Sequence, residues 1–306
     1  MSYPMACYAS CASPRGRTTR RIRLALLLAG LTLLFACAGR GPALPAITAE
    51  PTLHRDVGRF VWFDLVTDDL TSAEHFYSGL FGWSFETVHR GKNAYSLIRQ
   101  RGRPIAGAAY IEDVDDEDSG ARWLGTLSVA DVDLAISSVR KRGGAVIEEP
   151  IDVQGRGRMA VVSDPEGALF VLLRSENGDP PDSALAVGDW AWVELWTRDP
   201  DRAVDFYAPL TGWREASVEF RGQSQRILKA GDRPRAGLFA IPWAEVEANW
   251  LPYVLVEDLA GSVTRAVELG GTLLLRDGSA AILQDPTGAA FTIYSRRALS
   301  REVVDR

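Results

Sequence analysis

The chain has 306 residues, 46% of them hydrophobic and 24% charged, and a net charge of −6. That length suits about two domains, and the composition is that of a soluble globular protein rather than a fibrous or disordered one. The acidic balance argues against nucleic acid as a partner, because a surface of that sign repels phosphate backbones.

The N-terminus differs from the rest. Arg15, Arg17, Arg20, Arg21 and Arg23 precede an apolar run over residues 24–36, with no acidic residue among them. The run is too short to cross a bilayer, which takes about 20 residues. Its charged front and short apolar stretch fit a secretory signal. It ends Leu34-Phe35-Ala36-Cys37, which resembles a bacterial lipoprotein signal; Phe35 is bulkier than the usual residue there. The resemblance implies lipidation of Cys37, residues 1–37 as the signal region, and a lipid-anchored place in the cell envelope, on the periplasmic side of a bacterial membrane. The alternative is a plain secretory signal in which Cys37 is incidental. Cys7, Cys11 and Cys37 are the only cysteines, so the body beyond them has no disulfide, thiolate metal site or cysteine nucleophile.

Residues 38–57 are rich in Pro, Ala and Gly without periodicity and read as a flexible tether. Residues 62–67 are rich in aromatic and branched side chains, as a strand requires. Asp69 stands where a helix N-cap is wanted. Ala73, Phe76, Tyr77 and Leu80 then recur at helical spacing, and Gly82 suits a left-handed stop. Short apolar runs at 84–88, 94–99 and 104–110 read as a meander of strands. The acidic stretch 112–120 reads as a solvated loop. A strand at 123–129, a helix over 131–142 and strands at 146–148, 158–163 and 169–173 complete the first half. Residues 176–187, with Pro180-Pro181, form a linker, and 298–306 a tail.

The second half repeats the first. Trp192, Leu195, Thr197, Asp199, Ala203, Phe206, Tyr207, Leu210, Gly212 and Trp213 match Trp62, Leu65, Thr67, Asp69, Ala73, Phe76, Tyr77, Leu80, Gly82 and Trp83 without a gap. Asp285-Pro286-Thr287-Gly288-Ala289 repeats Asp164-Pro165-Glu166-Gly167-Ala168. Such self-similarity marks a duplicated structural unit. The result is an α+β chain of four βαβββ modules, paired into domains at 58–175 and 188–297.

The pattern D-x-x-x-A-x-x-FY-x-x-L-x-GW followed by DPxGAxF resembles the glyoxalase/bleomycin-resistance/extradiol-dioxygenase superfamily, also called vicinal oxygen chelate. The resemblance covers the chain beyond the tether. It implies curved, cup-shaped mixed sheets, and in the enzymes of the family a divalent metal held in the cup by His, Gln or Glu. The family's opening-strand ligand position falls here on Trp62, Trp192, Leu124 and Leu251. The closing-strand position falls on Val171 and Thr292, and the remaining position falls among 108–110 and 238–240. A hard or borderline divalent ion wants imidazole or carboxylate, so no metal and no other cofactor is expected. His54, His75 and His89 lie at scattered places, and a three-histidine site, which would give a metal-dependent lyase, isomerase or dioxygenase, stays open as the lesser alternative.

Side chains alternate along a strand. If Trp62 faces the cup, so does Asp64; in the second copy Trp192, Glu194 and Trp196 do. Thr126, Ser128, Tyr253 and Tyr294 are expected to join them. The expected ligand-binding residues are therefore Trp62, Asp64, Thr126, Trp192, Glu194 and Tyr253. Aromatic faces favour flat or cationic ligands, and a carboxylate among apolar neighbours can act as a general base. Asp64 and Glu194 are the catalytic candidates; either could instead be satisfied by backbone N–H groups or by an arginine such as Arg158. Three functions stay open: a metal-free binding module for a small organic molecule, a lyase or isomerase using Asp64 or Glu194, and an envelope structural or interaction protein with filled cups. A homodimer, with cups formed by exchange between copies, also stays open.

Overall fold

The computed structural model describes residues 43–112, 121–182, 185–220 and 223–296. The signal region, Cys37, the acidic stretch after Glu112 and the tail therefore lie outside the described residues.

The strands form two open eight-stranded mixed sheets with the same order. The first runs β2 (Ser84–His89), β3 (Tyr95–Gln100), β4 (Arg103–Tyr110), β1 (Phe60–Thr67), β5 (Arg122–Ser128), β8 (Leu169–Ser175), β7 (Gly157–Ser163), β6 (Ala145–Val153). The second runs β10 (Arg214–Phe220), β11 (Gln223–Ala230), β12 (Arg233–Ala240), β9 (Trp190–Thr197), β13 (Asn249–Val256), β16 (Ala290–Ser295), β15 (Ala280–Gln284), β14 (Thr272–Asp277). In each sheet the opening strands of two modules pair antiparallel at the centre: β1 with β5, and β9 with β13. Each is flanked by a parallel partner, as crossover helices require: β4 and β8, β12 and β16.

The helices are α1 (Leu70–Phe81), α2 (Val132–Lys141), α3 (Pro200–Thr211) and α4 (Leu259–Glu268). Their starts are set by side-chain caps. Asp69 accepts from Ser72 N, Asp131 from Leu134 N, Asp199 from Arg202 N and Asp258 from Ala260 N. Gly82 and Gly212 end α1 and α3 at φ +70° and +72°, a conformation that costs other residues a Cβ clash.

The helix-facing sides of both sheets share one apolar core. Phe63 lies 4.6 Å from the Trp190 ring, Phe60 4.7 Å from Trp250, and Trp123 4.9 Å from Trp190. The seam is pseudo-symmetric: Trp83 Nε1 donates to Gly188 O at 2.9 Å, and Trp213 Nε1 to Gly58 O at 2.7 Å. The other two faces, the cups, thus point away from the shared core and carry separate apolar clusters.

Two sequence expectations need correction. Residues 43–57 are not a free tether. Leu44 N bonds Gln154 O at 3.0 Å and Thr52 N bonds Asn177 O at 2.9 Å, while Ile47 is buried in the first cup. Arg55 donates to Ser175 O, and Asp56 N to Asp179 Oδ2 at 2.7 Å. A Pro-rich segment with no periodicity of its own is ordered here because other loops offer it acceptors and an apolar seat. Strand β6 also runs through Pro150 rather than stopping at Glu148. It is the sheet edge, where a residue without an N–H is tolerated.

Candidate functional site

Both cups place a carboxylate on the central opening strand. Asp64 is in register with Gly107 on β4, and Glu194 with Gly237 on β12. In each cup an indole N–H reaches the carboxylate from two positions away, but a different one. Trp62 Nε1 donates to Asp64 Oδ1 at 3.0 Å, whereas Trp196 Nε1 donates to Glu194 Oε2 at 3.0 Å.

The first cup is filled. Tyr95 Oη donates to Asp64 Oδ1 at 2.7 Å. Arg156, from the β6–β7 turn, is 1% exposed and donates through Nη2 to Tyr95 Oη at 2.8 Å. Its Nη1 stands 3.8 Å from Asp64 Oδ2, and its guanidinium lies 4.9 Å from the Trp62 ring centroid. Its Nε donates to Pro45 O at 3.0 Å, so the docked N-terminal segment completes its bonding. Around this group Ile47, Val66, Leu97, Leu124, Val161 and Val171 close an apolar cluster. Burial pushes the Tyr95 hydroxyl well above its ordinary range, which keeps it a neutral donor.

Three expected residues, Trp62, Asp64 and Thr126, are therefore together, but beneath the segment rather than lining an open bowl; Trp62 and Thr126 are buried. Arg158 is not the arginine that meets Asp64. It pairs with Asp133 and Asp152 on the surface, and Arg156, within the glycine-flanked turn, takes that place. Ser128 does not join the cup chemistry either. Its hydroxyl donates to Asp179 Oδ2 in the linker at 2.6 Å.

The second cup is built from the same strands but is less covered at its opening strand, where Trp192 is part-exposed and Trp62 is buried. Trp192, Glu194, Tyr253 and Tyr294 are all part-exposed. Tyr253 Oη donates to Glu194 Oε2 at 2.8 Å. With Trp196 it saturates that oxygen, while Oε1 accepts from no described residue. Burial raises the Glu194 carboxyl above the usual range, partly offset by the bonds from Tyr253 and Trp196. Burial likewise pushes Tyr253 up, and the neighbouring Glu194 charge adds to it. An aromatic shelf continues outward: Trp196 lies 4.5 Å from Phe239 and 6.1 Å from Trp243. Sequence reasoning missed Tyr95, Arg156, Phe239 and Trp243, because none shares a strand with the motif residues.

The family's metal positions test poorly for an ion. Trp62, Trp192, Leu124, Leu251, Val171 and Thr292 offer indoles, aliphatics and one hydroxyl, a donor set that does not fit a divalent cation. Among the described residues no three His, Cys, Asp or Glu side chains converge. A cleft of ≈ 350 Å³ lies away from both cups, between Leu80 and Phe81 of α1 and Asp258 and Arg265 of the second domain. Of its charged residues, Asp258 serves as the α4 cap and Arg265 pairs with Glu268.

Comparison with known proteins agrees with this architecture. Residues 59–172 match the family described as Glyoxalase/Bleomycin resistance protein/Dioxygenase superfamily, and residues 192–294 match a Glyoxalase-like domain. The chain belongs to this superfamily, as a member with two glyoxalase-like domains. It is 32% identical over 241 residues to CFP32 of Mycobacterium tuberculosis, covering 76% of this chain and 92% of that one. It is 33% identical over 258 residues to the anthracycline biosynthesis protein DnrV of Streptomyces peucetius, covering 78% and 94%. The Mn(II)-bound glyoxalase of Novosphingobium aromaticivorans shares the fold at TM-score 0.53 and 17% identity, over 78% of this chain and 82% of that one.

Proposed function

We propose that this chain is a metal-independent binding protein that holds a small flat organic molecule in its second-domain cup. One observation carries the reading: Glu194 is part-exposed, has one oxygen saturated and one that accepts from no described residue, and stands among Trp192, Trp196, Tyr253 and Tyr294. Aromatic walls favour flat ligands, and a single polar group fixes their orientation. Likeness to a protein of anthracycline biosynthesis supports the same choice, since it points to a polycyclic aromatic class. The first cup, filled from within, serves as structural support. The test is calorimetric titration with a panel of two- to four-ring aromatic compounds against wild type and Trp192→Ala. Saturable binding that Trp192→Ala weakens supports the reading; no binding by wild type across the panel defeats it.

A second reading rests on the Glu194–Tyr253 pair, whose proton affinities burial raises together. In it the cup is a lyase or isomerase site with Glu194 as base. Turnover lost in Glu194→Gln with binding retained would select it. The lipoprotein-type signal, and with it an envelope location, is part of the proposal. Lipid labelling in a bacterial host that persists in Cys37→Ser would remove it.

A further inference from the structure

Residues 43–57 divide into three parts by the way they are held. Residues 52–57 are anchored. Thr52 N and Leu53 N donate to Asn177 O at 2.9 and 3.1 Å, Arg55 Nη2 to Ser175 O at 2.7 Å, and Asp56 N to Asp179 Oδ2 at 2.7 Å. Residues 49–51 are exposed and make no hydrogen bond with a described residue. Residues 43–48 then enter the first cup. Ala43 bridges Gln154 in the parallel sense, and Leu44 N donates to Gln154 O at 3.0 Å. Pro45 O accepts from Arg156 Nε at 3.0 Å, and Ile47 is buried in the cluster that holds Trp62, Leu124 and Val171. Exposed backbone without partners opens at least cost, so 49–51 form a hinge between a fixed leash and a plug.

The plug is held as a peptide ligand is held: main-chain groups fix it and an apolar side chain fills a seat. Yet it leaves polar groups of that seat unsatisfied. Thr126 is 2% exposed and in register with Trp62 on the cup face, and its Oγ1 has no partner among the described residues. Thr48 Oγ1, on the plug itself, has none either. A buried hydroxyl without a partner weakens the state that buries it. Arg156 and Asp64 stand 3.8 Å apart with opposite charges, so the seat suits a neutral group, and Pro45 supplies one in its carbonyl oxygen. We infer that the first cup is a peptide-binding site, occupied in cis by residues 43–48, which receives an apolar peptide segment in trans when this plug swings out about residues 49–51. The structural support described above is its closed state. The inference goes beyond the small-molecule role of the second cup and does not depend on it.

The test uses the full chain and a synthetic peptide of residues 43–50, capped at both ends and carrying a fluorophore beyond Glu50, which is exposed. Fluorescence anisotropy follows its binding to wild type and to Ile47→Ala, with melting curves confirming that both chains are folded. A tethered plug competes at high effective concentration, and a site that is mostly closed has its apparent affinity reduced by its open fraction. Ile47→Ala in the chain weakens the plug and leaves the seat intact. The peptide should therefore bind that variant about 10- to 100-fold more tightly than wild type, the range set by truncating a buried isoleucine. A peptide that itself carries Ile47→Ala should lose this binding. Should Ile47→Ala fail to fold, Ile47→Val takes its place, with an expected gain of about 2- to 10-fold. Peptide binding no tighter to the variant than to wild type, including none to either, overturns the inference and makes the segment a fixed part of the core. Equal binding of the two peptides overturns it by placing their contact outside the seat.

Discussion

Tyr77 donates its hydroxyl to Asp285 Oδ2 at 2.9 Å, from the first helix of one domain to the closing turn of the other. Tyr207 returns the bond to Asp164 Oδ2 at 3.2 Å. Each tyrosine also accepts an indole N–H, from Trp123 at 2.8 Å and Trp250 at 2.9 Å. The other oxygen of each aspartate organises its own turn, Asp164 Oδ1 accepting from Glu166 N and Ala168 N, and Asp285 Oδ1 from Thr287 N and Ala289 N. The two most recognisable motifs of the sequence therefore meet each other across the seam.

Removing either hydroxyl leaves a buried carboxylate oxygen and a buried indole N–H short of a partner. Tyr77→Phe and Tyr207→Phe should each lower the unfolding free energy by about 1–3 kcal/mol. Chemical denaturation measures this; variants indistinguishable from wild type would show that the seam does not depend on these bonds.

The same aspartates give stability a pH dependence. Burial raises both carboxyls above their ordinary range, and their hydrogen bonds offset this only in part. The folded state therefore holds these protons more tightly than the unfolded chain does. Their contribution is full below the unfolded value and is lost as pH rises through the raised folded value. Exposed caps such as Asp69, held low by Ser72, move the opposite way. The difference between wild type and an Asp164→Asn/Asp285→Asn variant isolates the buried pair. It should shift toward wild type as pH falls from neutrality toward about 4; a shift in the other direction would contradict the assignment.

Tyr253→Phe should raise the Glu194 carboxyl further, since it deletes a bond that favours the charged form while leaving the carboxylate desolvated. Carbon NMR of labelled glutamate follows the titration. A midpoint that falls would mean that Tyr253 does not act through that bond.

Arg156→Ala should cost about 3–5 kcal/mol, the price of breaking a buried charged group away from its partners. It should also free residues 43–57 to proteolysis, because Pro45 loses its donor. Arg158→Ala, two residues on and paired at the surface, should cost far less. Equal losses in the two variants, by thermal melting, would show that the buried network adds nothing.

Gly107→Ala and Gly237→Ala make a matched pair. The first forces a methyl onto the Tyr95 hydroxyl and should cost about 1–3 kcal/mol. The second meets the end of the Glu194 side chain, which can swing, and should cost less. Melting curves that rank the two in the opposite order would mean that the cups are packed alike.

Much of this fold could be read from the residues, because its signals are local. Asp69, Asp199 and the glycines that end α1 and α3 are caps, and a cap is fixed by neighbours in sequence. The duplication was legible because Trp62 to Trp83 and Trp192 to Trp213 align without a gap. What was not legible depends on distant partners. The segment that carries Ile47 is held by partners more than 100 residues away, Gln154, Asn177 and Asp179, and nothing in its own stretch signals that. Arg156 outranks Arg158 only because the turn at Gly155 and Gly157 aims it inward. The carboxylates at 64 and 194 were found from strand alternation, but their different states hang on Tyr95, which the sequence places on another strand with no mark of its purpose.

The aromatic seam has a practical consequence for anyone who would dissect the protein. Phe60, Phe63, Trp123, Trp190 and Trp250 interleave across it, so the duplicates are halves of one solid rather than beads on a string. Expressed singly, each half would present a wall of bare rings to water and precipitate. Co-expressed as fragments cut between Pro181 and Gly188, they should find one another and reassemble.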